Sequence, residues 1–200
     1  MIFIVIVVII ASLFLLNFYR DPTRKIPKGN NLVSPADGKI IRILKVKNNK
    51  IKIKKGFLGK IETLTKDIAK ECYIISIFMS PFDVHINRAP IEGRVSSINH
   101  EKGKYFAAFN FSKSLMNEKN EIIIKSKKIG KIKLIQIAGF LARRLICTIN
   151  EDEKVNKGQK IGKIVLGSQV TLVLPFKKLN LKIKDKQKVT AGETVIANLK

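Results

Sequence analysis

The 200-residue sequence has no tryptophan, two cysteines, two histidines, and 15 acidic residues against 39 basic ones. Each shortage removes a class of chemistry. Cys72 and Cys147 lie in the apolar runs KECYIISIF and RRLICTIN, and no Cys-x-x-Cys pair occurs. That spacing argues against a zinc or disulfide framework, so no metal site is expected, and both cysteines read as buried small hydrophobes in a reducing compartment. The shortage of acid leaves a formal net charge of +24, which suits an anionic partner, either nucleic acid or a membrane surface. A codon bias toward lysine and isoleucine accounts for part of that excess. The cations are spread along the whole chain, and no finger or RNP-like signature occurs. No nucleic-acid partner is therefore expected. There is no G-x-S-x-G elbow, which argues against an α/β-hydrolase nucleophile. Helix-period segments are also scarce; the best are short, around 64–70 and 112–118.

What is present begins with MIFIVIVVIIASLFLLNFYR. As a helix this run covers roughly 27–30 Å, about one hydrocarbon core. A cleaved signal peptide needs lysine or arginine ahead of the apolar run; here the bases follow it, at Arg20, Arg24, Lys25 and Lys28. The expectation is an uncleaved transmembrane anchor over residues 1–19, with the body on the cytoplasmic side of the cell membrane. Residues 20–31, rich in Pro, Gly and Asn, read as a linker. Residues 32–200 are mostly short β-type runs separated by turn chemistry, among them KIIRILKV, NKIKIKKG, CYIISIFM and QVTLVLPF. KVNKGQKIG (154–162) and KVTAGETVI (188–196) share Lys-Val-x-x-Gly-x-x-[Ile/Val]. In each copy a valine ends one extended piece, glycine turns the chain, and the next apolar residue starts another. The pattern resembles the hammerhead units of lipoyl and biotinyl domains. The expected fold is mainly β, a barrel-sandwich-hybrid-like body of short strands behind an N-terminal transmembrane helix.

Four places could carry chemistry. His85 lies in SPFDVHINRAP; if extended, Asp83, His85 and Asn87 share one face and Phe82, Val84 and Ile86 the other. It reads either as an acid-base residue or as an exposed loop histidine. His100, in INHEKGKYF, precedes a turn. Asp37, in SPADGK, occupies a turn signature and could also orient a histidine. The fourth is VLGSQV, where Gly167 and Ser168 interrupt a strand-like run. Glycine and serine fit poorly in a strand interior. A serine hydroxyl can attack the preceding carbonyl if a base takes its proton. The amide becomes an ester, β-elimination releases the upstream carboxylate and leaves dehydroalanine, and hydrolysis gives a pyruvoyl cap. Ordinary Gly-Ser turns meet the same sequence requirement.

Taken together, FYRDPTRKIP, VSPADGKI, ISIFMSPFDVHINRAPIEGRV, GKYF, IQIAGFLARRLIC, VNKGQKIGKIVLGSQVTLVLP and VTAGETVIA resemble phosphatidylserine decarboxylase in its short, pyruvoyl-dependent form. The resemblance covers nearly the whole chain in the right order. It implies a self-processing proenzyme cut between Gly167 and Ser168 into a larger chain, 1–167, and a smaller chain, 168–200, capped by a pyruvoyl group derived from Ser168. That ketone would take up the amine of phosphatidylserine and withdraw electrons from the α-carbon, giving carbon dioxide and phosphatidylethanolamine. His85 matches the family's histidine for decarboxylation and proton delivery, and Asp37 the acidic member of its self-cleavage triad. Longer members carry a second histidine where this chain has Arg88. Arginine stays protonated, so either His85 does both jobs or His100 starts cleavage. Gln169 stands where short members usually have arginine, and Ala107 where asparagine is usual.

The implied partners are phosphatidylserine in an anionic membrane and the two cleavage fragments as a heterodimer, with a homo-oligomer left open. Arg143 and Arg144 could meet the lipid phosphate, although in a strand they face opposite sides. The rival reading is a non-enzymatic, membrane-tethered barrel-sandwich module, an adaptor or carrier. A carrier needs a lysine at a hairpin tip, and no Met-Lys-Met occurs.

Overall fold

The computed structural model describes residues 1–47, 65, 67–69, 71–140, 144–165, 168–176 and 179–200. The expected strand NKIKIKKG and most of the 64–70 helical segment lie outside the described residues. One helix, α1 (Ile2–Phe18), precedes a β-rich body. The first strands are β1 (Asn31–Val33), β2 (Gly38–Val46), β3 (Cys72–Met79), β4 (Ile86–Arg88) and β5 (Gly93–Glu101). A short helix, α2 (Phe111–Ser114), leads to β6 (Lys119–Ser126), β7 (Gly130–Ala138) and β8 (Leu145–Cys147). The chain ends with β9 (Lys154–Val155), β10 (Lys160–Ile164), β11 (Ser168–Pro175), β12 (Leu179–Leu181), β13 (Lys188–Val189) and β14 (Val195–Leu199).

The strands form one curled eight-stranded sheet in the order β13-β2-β3-β11-β7-β6-β5-β9. Two three-stranded sheets, β1-β14-β12 and β4-β10-β8, accompany it. The mainly-β expectation holds, but the central strands are longer than foreseen: β2, β5 and β7 each run nine residues. β11 sits mid-sheet between β3 and β7, antiparallel to both. Its alternate side chains enter two cores. Val170 and Leu172 join Ile75, Ile77 and Leu134 on the concave face. Val173 joins Ile74, Ile135 and Ile137 beneath Phe111 and Leu115 of the α2 region. Each fully buried aliphatic side chain stabilises the fold by about 1.5–3 kcal/mol relative to exposure.

The sequence repeat is a structural repeat. β9, Gly158 and β10 form one copy, and β13, Gly192 and β14 the other. β9 and β13 occupy the two opposite edges of the large sheet. Both glycines have left-handed backbones, φ +81° and +78°. The Ile26 side chain packs on both, so near that a Cβ would fall 2.4 Å from Ile26 Cδ1 at Gly158 and 2.9 Å at Gly192. Ile26 thus plugs the gap between the sheet edges. Residues 20–28, read as a linker, lie strapped across the body. Arg24 grips both oxygens of Asp37 at 2.8 and 3.0 Å, the Lys25 N–H donates to Glu193 at 2.9 Å, and Asp21 pairs with Lys160 and Arg88.

Two expectations need correction. α1 has 17 residues, roughly 25 Å at 1.5 Å per residue. Among the described residues no helix is long and apolar enough to cross a membrane. The helix stops because the body captures its end: Arg20 donates to the carbonyls of Asn17 and Phe82 at 2.6 and 2.8 Å, and Phe18 is buried. Cys72 is buried as expected, its thiol pushed up to about 11 by desolvation. Cys147 is only half-buried, because β8 lies at the edge of a three-stranded sheet.

Gly158→Ala and Gly192→Ala are each expected to cost more than about 1 kcal/mol, since alanine resists this backbone conformation. Thermal unfolding should read this as a fall of at least roughly 2 °C in Tm.

Candidate active site

Ser168 opens β11 and is fully buried, opposite Met79 on β3 and Ala138 on β7. Its Oγ faces Met79 Sδ at 3.4 Å, a weak acceptor that leaves the hydroxyl poorly satisfied. Gln169 points to the other face, as strand alternation demands. There it accepts from Ser114 Oγ at 2.9 Å and donates to Thr171 Oγ1 at 2.8 Å. The residue that departs from the family pattern therefore tethers α2 and does not share the Ser168 face. Gly167 lies outside the described residues.

His85 sits just ahead of β4. The Asp83 carboxylate closes its own turn, accepting from the Ser80 N–H and hydroxyl at 2.8 and 2.7 Å. The Asp83 carbonyl accepts from His85 Nδ1 at 2.8 Å. That bond assigns the proton of a neutral ring to Nδ1 and makes Nε2 the acceptor nitrogen. The Phe18 ring lies 4.5 Å from the imidazole, centre to centre, and His85 is 3% exposed. Burial lowers its pKa below the usual value near 6.5; the Asp83 carbonyl and the charge of Asp83 partly oppose this. The exposed-loop alternative is thereby excluded. The expected division of faces holds only in part. His85 and Asn87 are buried, but so is Val84, while Phe82 stands 69% exposed.

The His85 carbonyl accepts the Ile164 N–H at 3.2 Å, which stitches the histidine to the end of β10, just upstream of Ser168. Asn87 Nδ2 contacts Met79 Sδ at 3.6 Å, the same sulfur that Ser168 meets. A small cavity of about 50 Å³ beside His85 is lined by Phe18, Tyr19, Arg20, Ile86, Lys163 and Val165 among others. An apolar groove of about 660 Å³ runs along α1 from Val7 to Phe14 and Phe82.

The other expected residues sit elsewhere. Asp37 is committed to Arg24 and to the Ala191 N–H at 2.7 Å, although its charge still favours protonation of His85. Arg88, where longer members carry histidine, is a buried tie that donates to the Gly158 carbonyl at 2.9 Å. His100 lies on β5, three strands from β11 and on the order of 14 Å away along the sheet. It pairs with Glu118 at 2.8 Å. Arg144 is exposed, and Arg143 lies outside the described residues. The cations that line the His85 cavity are Arg20 and Lys163. Sequence reasoning missed both as site residues. The one available signal was that Lys163 and Ile164 immediately precede the Gly-Ser segment.

A model of the phosphatidylserine decarboxylase family matches residues 11–197. The chain belongs to the phosphatidylserine decarboxylase family. It is 44% identical over 188 residues to a Methanocaldococcus jannaschii protein named as a candidate archaetidylserine decarboxylase proenzyme, covering 92% of this chain and 89% of that one. It is 39% identical over 193 residues to the phosphatidylserine decarboxylase proenzyme of Prosthecochloris aestuarii (96% and 80% covered). It is 40% identical over 185 residues to that of Chlorobaculum tepidum (92% and 77%). The protein is an enzyme of phosphatidylserine decarboxylation, and the non-enzymatic carrier reading falls.

The lowered pKa of His85 has a definite sign. The unfolded chain takes up a proton near pH 6.5, and the folded chain takes it up only at lower pH. Folded stability therefore falls as pH drops below about 6.5. NMR titration should place the His85 midpoint below that value. Phe18→Ala admits water and should move it upward, carrying the acid limb of the decarboxylation profile with it. An unmoved midpoint would show that the ring is not what dries the histidine.

Proposed function

We propose that the enzyme is a pyruvoyl-dependent, self-processed decarboxylase of phosphatidylserine that works at an anionic membrane. The observation that carries this reading is a buried Ser168 whose hydroxyl meets only the Met79 sulfur among the described residues, with the His85 segment stitched to the end of β10 just ahead of it. Ser168 Oγ attacks the Gly167 carbonyl carbon, a base takes the hydroxyl proton, and the peptide C–N bond gives way to an ester. Elimination then frees the Gly167 carboxylate, and hydrolysis of the resulting dehydroalanine releases ammonia and leaves a ketone. Among the two histidines, the buried neutral His85 is the better base; His100 is tied to Glu118.

The residues around position 168 fit such a group: the strand start is buried, so water is excluded, and the Asn87 amide meets the same Met79 sulfur that Ser168 meets. When formed, a pyruvoyl group supplies an electrophilic ketone that takes up the substrate amine and draws electrons from its α-carbon. This chain's own residues do the rest. His85 Nε2 takes and returns a proton. Phe18 keeps water from it. Lys163 and Arg20 flank the cavity where a lipid phosphate would sit. The groove along α1 suits a lipid tail, and α1 lodges in the bilayer without crossing it. The bases after α1 lie toward the anionic cytoplasmic leaflet of the cell membrane, each contributing roughly 1 kcal/mol of attraction when close. After cleavage the fragments 1–167 and 168–200 remain a heterodimer, because β11 is held between β3 and β7 and β13 borders β2.

A denaturing gel of active enzyme should show two pieces, the smaller one 168–200 and blocked at its amino end. Ser168→Ala should stay whole and release no carbon dioxide; release from that variant would sink the assignment. Lys163→Ala should raise KM for phosphatidylserine about tenfold, equivalent to roughly 1.4 kcal/mol of phosphate binding, and leave cleavage intact. Assays with acyl-linked and isoprenoid-ether serine lipids would decide which tail the groove prefers.

A further inference from the structure

Three buried side-chain amides form a directed chain that ends at Met79, whose sulfur Ser168 also meets. Asn120 on β6 and Gln136 on β7 are direct cross-strand partners, and Asn120 Nδ2 donates to Gln136 Oε1 at 3.0 Å. Gln136 Nε2 donates to Asn87 Oδ1 at 2.8 Å. Asn87 is thereby held with its Nδ2 turned the other way, toward Met79 Sδ at 3.6 Å. Ser168 Oγ meets the same sulfur at 3.4 Å. Asn87, Gln136, Met79 and Ser168 are wholly buried and Asn120 nearly so. At the far end, Asn120 Oδ1 accepts no hydrogen bond from the described residues.

The polarity of this chain is its informative feature. Each donor in the series points toward Met79, and Asn120 Oδ1, unpaired among the described residues, is left at the opposite end. A buried amide normally finds an oxygen acceptor. Among the described residues Asn87 Nδ2 faces only a thioether, a weak one. A donor has been aimed, through two other amides, at a place where the described residues supply no oxygen for it. Packing alone needs no such arrangement, since an apolar residue at 87 would fill the same space without burying a donor.

We propose that Asn87 is a specificity-determining residue whose side-chain N–H holds the carboxylate of the serine headgroup beside residue 168, with Gln136 and Asn120 as positioning residues. The inference rests on residue 168 being the reacting position. A carboxylate is the one group that the substrate has and the product lacks. A neutral amide recognises it without the full counter-charge that would stabilise it against leaving as carbon dioxide. Once it has left, the amide returns to the sulfur and gives the product no hold.

The test uses the processed full chain, silenced with borohydride, which reduces a ketone to an alcohol. The probes are dihexanoyl phosphatidylserine and dihexanoyl phosphatidylethanolamine, with binding read by calorimetry. Asn87→Asp still accepts from Gln136 but replaces the donor with a negative charge. It should weaken the serine lipid about tenfold or more and leave the ethanolamine lipid within about twofold. Gln136→Glu accepts from both neighbours, so it turns the Asn87 amide around without touching lipid, and it should give the same selective loss. Equal losses for both lipids, or an unchanged ratio in both variants, would overturn the proposal. Should Asn87→Asp fail to fold, as read by circular dichroism, Gln136→Glu decides alone. A gel of the same samples separates the two levels. Uncut wild type defeats the assignment of residue 168, whereas cut wild type with unaltered lipid selectivity defeats only the role of Asn87.

Discussion

β11 is covered on both faces, and the surroundings of Ser168 follow from that burial. A hydroxyl at the start of a strand between β3 and β7 has no water to bond with. What surrounds it has to come from the protein, and Met79 offers a sulfur that the Asn87 amide also meets. In a dry site each polar contact acts with little screening, so small differences in donor placement decide reactivity. The same burial fixes β11 in place. A strand hydrogen-bonded on both sides and packed into two cores does not depend on one covalent bond to stay in place.

The curl of the large sheet is closed from outside by the segment that follows α1. Ile26 enters between the glycine turns of the two repeat copies, and Arg24 and the Lys25 amide tie the strap to Asp37 and Glu193. That strap begins where Phe18 covers His85. One continuous stretch thus joins an apolar helix suited to lipid, the ring that dries the histidine, and the plug that draws the sheet edges together. Asp37 acts within this scheme as an anchor for the strap. Its influence on His85 is that of a charge nearby rather than of a hydrogen-bond partner.

Several of these features were legible in the residues. The Gly-Ser pair inside an apolar run drew attention to position 168, and Ser168 opens β11, fully buried. The repeated Lys-Val-x-x-Gly marked two turns that the structure places at opposite sheet edges. The alternation in SPFDVHINRAP put His85 and Asn87 together, and both are buried. The misses share one cause. Periodicity tells which way a side chain faces and not what lies opposite. Arg143 and Arg144 were candidates for the phosphate by charge; Arg144 is exposed, Arg143 lies outside the described residues, and Lys163 and Arg20 line the cavity beside His85. The apolar opening looked like a membrane span by length, but its last turn is claimed by the body.

By itself the sequence determined the reactive vocabulary of this protein: a serine after a glycine, few histidines, an apolar opening, a basic and mainly β body. These are local properties, set by residue type and spacing. Only the tertiary structure decided that Asp37 belongs to Arg24, that Arg88 is a structural tie, that Phe18 covers His85, and that Asn120, Gln136 and Asn87 line up toward Met79, which Ser168 also meets. Those partnerships join residues far apart in the chain, and they exist only once the sheet has curled and brought its strands into register.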